Sequence, residues 1–151
     1  MTIAFVAIGG NLGDARATVL RAMDDLTTLP RTRVLTRSSL YRSAPVDASG
    51  PDFINAVVAI DTALAPHDLL AGLQRLELDA GRERPYRNAP RTLDLDLLLH
   101  GDQVLDTPVL TLPHPRMAQR AFVLLPLAEI APDRVAPALI AQVVDQPIER
   151  L

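Results

Sequence analysis

In the stretch PRTLDLDLLLHG (residues 90–101), two carboxylates, Asp94 and Asp96, interrupt one of the most apolar runs of the chain. A strand turns alternate side chains to opposite faces, so Leu93, Leu95 and Leu97 share one face and the two aspartates sit side by side on the other. Neighbouring anions repel, and burial worsens the repulsion. Cations, water or metal must neutralise them. A D-x-D pair on one strand face suits divalent cations: magnesium prefers oxygen ligands and takes the rest of its shell from water and substrate phosphates. Arg82, Arg84, Arg87 and Arg91 crowd into the residues just before the pair. Each guanidinium offers forked donors to phosphate oxygens, although an arginine run is also an ordinary solvated face. Together, carboxylates and arginines favour a polyanion held through metal.

Other residues could shape a ligand. Phe53 and Phe122 stand out in a chain only 3% aromatic; two rings can sandwich a flat heterocycle while the amide of Asn55 reads its edge. Phenylalanine is more often plain core. His114, between prolines in LPHPRM, is held where an imidazole could be aimed at a ligand, whereas His67 and His100 read as surface residues. Gln74 and Glu77 are neighbours on one helix face, which by itself reads as surface. No H-x-x-H spacing supports zinc. The glycine-rich IGGNLG (8–13) matches neither phosphate-loop nor dinucleotide fingerprint, but it can shape a pocket by close backbone approach.

The elements that must position these groups follow from periodicity. TIAFVAIG is a strand; Asp14 caps a helix with Val19, Leu20, Met23 and Leu26 on its stripe. Residues 33–42 read as one strand, 44–51 as turn, and FINAVVAI as a third strand. Pro66 opens a second helix, where its missing N–H costs nothing, and Leu69, Leu70, Leu73 and Leu76 form its apolar stripe. The DLD strand follows. The order βαββαβ predicts an α+β, ferredoxin-like core: an antiparallel sheet with helices on one face. Residues 105–151 add to that core; Pro108, Pro113, Pro115 and Pro126 predict irregular chain there, with APALIAQVV a terminal helix.

The chain of 151 residues, 48% hydrophobic with net charge -3 and no cysteine, reads as a single domain (1–151), intracellular and soluble, with no disulfide or thiolate chemistry. The absence of a basic face argues against nucleic acid, and no apolar run reaches membrane-spanning length. A nucleotidyl transferase or cyclase attacking the α-phosphorus remains a rival reading of two aspartates on such a sheet. A regulatory or RNA-binding module is the non-enzymatic rival, although RNA readers need strand aromatics and a basic face.

With AIGGNLGD, SSLYRSAPV, GPDFINAVV, LQRLELDAGRER, NAPRTLDLDLLLHG and LTLPHPRMAQRAFVLLPLAEIAP in view, the chain resembles, nearly end to end, the 6-hydroxymethyl-7,8-dihydropterin pyrophosphokinases of folate biosynthesis. The PRTLDLD block followed by PH and RAF is the most specific part. The resemblance implies a cytoplasmic, monomeric, ferredoxin-like enzyme. It would move the pyrophosphoryl group of ATP to the pterin hydroxymethyl oxygen with two magnesium ions. It matches Asp94 and Asp96 to metal ligands and Arg82 and Arg91 to catalytic-loop arginines. Gln74, Glu77, Arg84, Leu97, Thr111, His114 and Arg120 match nucleotide contacts. Phe53, Asn55 and Phe122 match the pterin pocket, with Ser43, Ala44 and Val46 along its backbone wall. Loops around residues 10–14, 44–52 and 83–91 would close over the substrates. Departures from the family pattern fall at Phe53, where tyrosine is common, and at Pro85, Asn88, Val109 and Pro115, where members carry basic or aromatic side chains. These bear on affinity and loop motion more than on chemistry.

Overall fold

The computed structural model describes residues 1–45, 50–81 and 93–151. Strand β1 (Thr2–Gly10) leads through a turn to helix α1 (Ala15–Asp25). The carboxylate of Asp14 accepts from the Ala17 amide at 3.1 Å, satisfying one of the donors that a helix start leaves unpaired. β2 (Thr32–Arg37) and β3 (Tyr41–Ser43) precede β4 (Phe53–Thr62). Helix α2 (Pro66–Gly81) begins at its proline and ends at its glycine, and β5 (Asp94–His100) completes the core. The strands run in the order β5-β1-β4, with β2 and β3 end to end along the far edge of β4, all antiparallel. This is the ferredoxin-like arrangement predicted from the element order.

Two of the predicted elements differ in detail. On α1 the buried stripe uses Ala22 beside Val19 and Met23, while Leu20 is 45% exposed. The single strand expected over 33–42 is two strands. The break falls where the Ser39 amide leaves the ladder to donate to the Glu129 carboxylate.

One face of the sheet presents Ala4, Val6, Ile8, Ile54, Ala56, Val58, Ile60, Leu95 and Leu97 to α1 and α2. The other face is also covered. Phe5, Val57, Ala59, Leu98 and Leu99 pack against helix α3 (Ala121–Ile130), with α4 (Pro137–Gln142) behind it. Leu124 and Leu127 of α3 are fully buried, each worth about 1.5–3 kcal/mol in removed apolar surface. The irregular chain expected here is therefore broken by structure: β6 (Leu105–Asp106) pairs with β7 (Thr111–Leu112), and Pro126 lies inside α3. A proline there cannot donate to the carbonyl one turn earlier, yet the packing of the apolar helix on the sheet outweighs that loss. The terminal helix predicted from APALIAQVV is α4, and β8 (Ile148–Arg150) then adds a strand beside β3.

A pairing shift between Phe5 and Val6 decides which leucines face which layer. Val6 pairs with Leu97 and Phe5 with Leu99, so Leu98 is the extra residue of a β-bulge. Alternation puts Leu97 in the first core and Leu98 in the second, and the bulge sends Leu99 to the second core as well. At the end of β5, His100 is 6% exposed rather than at the surface, and its Nε2 lies 2.9 Å from the Leu64 carbonyl.

Candidate functional site

Helix α3 covers only part of the second face. Where it stops, the sheet carries Ala7, Gly9, Asn55, Asp94 and Asp96, and these floor a cavity of about 830 Å³. That is the size range of small-molecule pockets. Gly9 pairs with Asn55 on one side and with Asp94 on the other; Ala7 pairs with Asp96. An amide and a carboxylate therefore flank a glycine across three strands, about 10 Å apart at two strand spacings. A side chain at Gly9 would project between them, its Cβ 3.5 Å from Asn55 Oδ1. Glycine and alanine keep the floor low enough for a flat ligand.

Asn55 is 4% exposed, and its amide is oriented: Nδ2 donates to Ser43 Oγ at 2.8 Å. Ser43 itself sits on β3 opposite Phe53. Phe53 and Phe122 both line the cavity, together with Ala44, Pro45, Arg116, Gln119 and Arg120. The Arg120 guanidinium stands 5.4 Å from the centre of the Phe122 ring, a cation–π contact that keeps the cation at the cavity wall. Asp96 is half-buried and Asp94 exposed, in contrast to the buried Leu93, Leu95 and Leu97 of the opposite face.

His114 lies close to this acidic floor. Burial lowers its pKa, Asp96 opposes that effect, and Arg120 and Arg116 reinforce it. Its Nδ1 accepts from the Arg116 amide at 3.2 Å, which leaves Nε2 as the protonated nitrogen of the neutral ring. The His114 amide donates to the Leu98 carbonyl at 2.9 Å, tying the loop to β5.

The other residues matched to nucleotide contacts stand elsewhere. Gln74 is exposed on α2, Thr111 is half-buried on β7, and the Leu97 side chain is buried in the first core. Glu77, expected as a surface residue from its local pattern, is half-buried and accepts from the Leu95 amide at 2.8 Å. It thereby satisfies a donor on an edge strand. These residues come from elements that flank the outer edge of β5, beside the cavity rather than inside it. Val46, Arg82, Arg84 and Arg91, with Pro85 and Asn88, lie outside the described residues. Sequence reasoning missed Gln119, Gln146 and Pro147, which also line the cavity; no local pattern marks them.

A ferredoxin-like sheet, with a pocket on its half-open face between an oriented amide and an acidic pair, defines a class of small-molecule-binding α+β proteins. Within it, the family described as 7,8-dihydro-6-hydroxymethylpterin-pyrophosphokinase (HPPK) matches residues 5–132. The 2-amino-4-hydroxy-6-hydroxymethyldihydropteridine pyrophosphokinase of Pseudomonas aeruginosa is 49% identical over 97% of this chain and 95% of its own. The protein of the same name from Haemophilus influenzae is 43% identical over 91% of this chain and 86% of its own. The crystal structure of wild-type Plasmodium falciparum HPPK-DHPS with SDX-DHP matches the fold at a TM-score of 0.66 and 15% identity. That match covers 88% of this chain, which spans 40% of the Plasmodium chain. The chain belongs to the 7,8-dihydro-6-hydroxymethylpterin-pyrophosphokinase family.

Proposed function

We propose that this chain transfers the pyrophosphoryl group of ATP to the hydroxymethyl oxygen of 6-hydroxymethyl-7,8-dihydropterin, in tetrahydrofolate biosynthesis. The products are AMP and the pterin diphosphate. The observation that carries the reading is the pairing of Asn55, Gly9 and Asp94 across one floor. It sets an oriented amide and an acidic pair at the two ends of the cavity floor, which supports a pterin edge at one end and phosphates at the other.

In this reading the pterin lies on Gly9 and Ala7 between Phe53 and Phe122. Asn55, locked by Ser43, turns Oδ1 to the donors of the pterin edge, with Ala44 and Val46 along the wall. The hydroxymethyl group then points toward Asp94 and Asp96. Among the described residues no group of three or more His, Cys, Asp or Glu side chains converges as a metal site. The two aspartates suit magnesium, which needs only one or two protein carboxylates beside phosphates and water. Bound at Asp94 and Asp96, two such ions would supply phosphate charge neutralisation and alignment.

The triphosphate is assigned to the outer edge of β5, with Gln74, Glu77, Leu97, Thr111 and His114 toward the nucleoside end and Arg84 and Arg120 toward the phosphates. His114, neutral with Nε2–H outward, can donate to a phosphate or ribose oxygen. Arg82 and Arg91 are assigned to charge developing at the β-phosphorus. The pterin oxygen attacks that phosphorus in line, the bond between the α,β-bridging oxygen and the β-phosphorus breaks, and AMP departs. Such catalysis is positioning plus electrostatic stabilisation.

The reading is completed by a single domain (1–151) acting as a monomer. A chain free of cysteine suits a reducing cytoplasm. ATP labelled at its β-phosphorus tests the reaction. The label should appear on the pterin, with AMP as co-product, only when magnesium and both substrates are present. ADP as the main nucleotide product, or labelled free pyrophosphate at the turnover rate, would refute it.

A further inference from the structure

We propose that Gln146 is a positioning residue for both substrates, holding Arg120 and Phe122 at the cavity wall from the C-terminal segment. It rests on the assignment of those two side chains to nucleotide and pterin. Helix α3 starts at Ala121 with Arg120 as its N-cap, and no side-chain bond caps it there. A guanidinium has no acceptor to offer the first turn, and the Ala121 residue is buried. The amide of Gln146 supplies what Arg120 cannot. Its Oε1 accepts from the Ala121 N–H at 2.9 Å, and its Nε2 donates to the Gln119 carbonyl at 2.8 Å.

The two bonds have opposite polarity and fall on the residues immediately before and after Arg120. They therefore fix the orientation of the Gln146 amide and pin the backbone on both sides of the arginine. Phe122 follows one residue later. Gln146 is in turn restrained: its own N–H donates to the Val143 carbonyl at 3.0 Å, and Pro147 limits it to extended backbone. The chain then enters β8, where Ile148 pairs with Ser43, the residue that orients Asn55. One short segment thus braces both walls of the cavity. It lies beyond residues 5–132, over which the family matches. The Gln146 side chain is itself exposed, so its loss strips little from the core, and its effect falls on the geometry of the wall.

The experiment compares the full-length wild type with Gln146→Ala and Gln146→Glu by steady-state kinetics in both substrates and by thermal melting. Gln146→Ala should raise KM for the pterin and for ATP about fivefold each, the weight of one net hydrogen bond, with a melting midpoint lowered by a few degrees because the buried Ala121 N–H loses its partner. Gln146→Glu keeps the acceptor for Ala121 and loses the donor to Gln119, and it should recover part of that loss. In a Phe122→Ala background, Gln146→Ala should add little to the pterin KM. Unchanged KM values in Gln146→Ala, or a lowered melting temperature alone, would overturn the proposal, provided Phe122→Ala and Arg120→Ala do raise them. If those two variants leave both KM values unchanged, the site assignment falls and this inference with it.

Discussion

Removing the Ser43 hydroxyl tests how the floor recognises its ligand. Asn55 and Ser43 are both buried, and the 2.8 Å bond between them directs the Asn55 donor at β3. Oδ1 is left toward Gly9, within 3.5 Å of where a Cβ there would sit. Ser43→Ala deletes the acceptor without adding bulk. The Nδ2 group then has no partner on β3, and the amide can turn and present a donor where an acceptor was set. A lost neutral hydrogen bond is worth about 1 kcal/mol net, or roughly fivefold in an equilibrium constant. Pterin affinity should fall by that factor, measured by direct titration and by KM. ATP affinity should not change, because Asp94 and the β5 edge lie across Gly9 from Asn55. Leaving a buried donor unpaired also costs about 1–3 kcal/mol of stability, and each kcal/mol moves the melting midpoint by about 2–4 °C at this chain length. Unchanged pterin affinity alongside a lowered midpoint would refute the recognition argument and leave only the packing one. Equal losses for both substrates would refute the separation of the two ends of the site.

Asp94→Asn and Asp96→Asn should each cut turnover by about two to three orders of magnitude with an unaltered circular dichroism spectrum; near-wild-type rates at saturating magnesium would remove them from metal binding. Glu129 on α3 accepts from the Ser39 amide, the Ser39 hydroxyl and the Tyr41 hydroxyl, with Arg150 beside it. Glu129→Gln should therefore destabilise the fold by about 2 kcal/mol in urea titrations. Burial pushes the Glu129 carboxyl up, but the bonds from Tyr41 and Ser39 and the charge of Arg150 outweigh it and hold the pKa below the usual range. Its contribution is present above the ordinary carboxylate range and is lost as pH falls through the depressed value, so Glu129→Gln should flatten the acid limb of stability. Burial first, then Glu129, pushes the Tyr41 phenol up to about 12. That contribution is complete below the ordinary 10.0 and is lost as pH rises toward the folded value. Tyr41→Phe should remove this alkaline dependence, and an unchanged alkaline limb would count against the contact.

What the sequence determined by itself lies within reach of local chain geometry. Alternation along LDLDL decides that Asp94 and Asp96 share a face, because the side-chain period of a strand is two wherever the strand ends up. Asp14 and Pro66 mark helix starts for similarly local reasons, and the order of elements restricts the sheet to few topologies. The tertiary structure decided what those faces meet. Val57 and Ala59 are buried because α3 returns over the sheet, and FINAVVAI is apolar without alternation because both of its faces are covered. Leu99 changes layers through a bulge in the pairing of β5 with β1, and Glu77 becomes the partner of Leu95 only because α2 lies against the edge of β5. Phe53 and Phe122, far apart in the chain, line one cavity because β4 and the start of α3 converge there. Gln146 gains its place from the same return of the chain. Such contacts depend on which surfaces the fold closes together, and local periodicity carries no record of that choice.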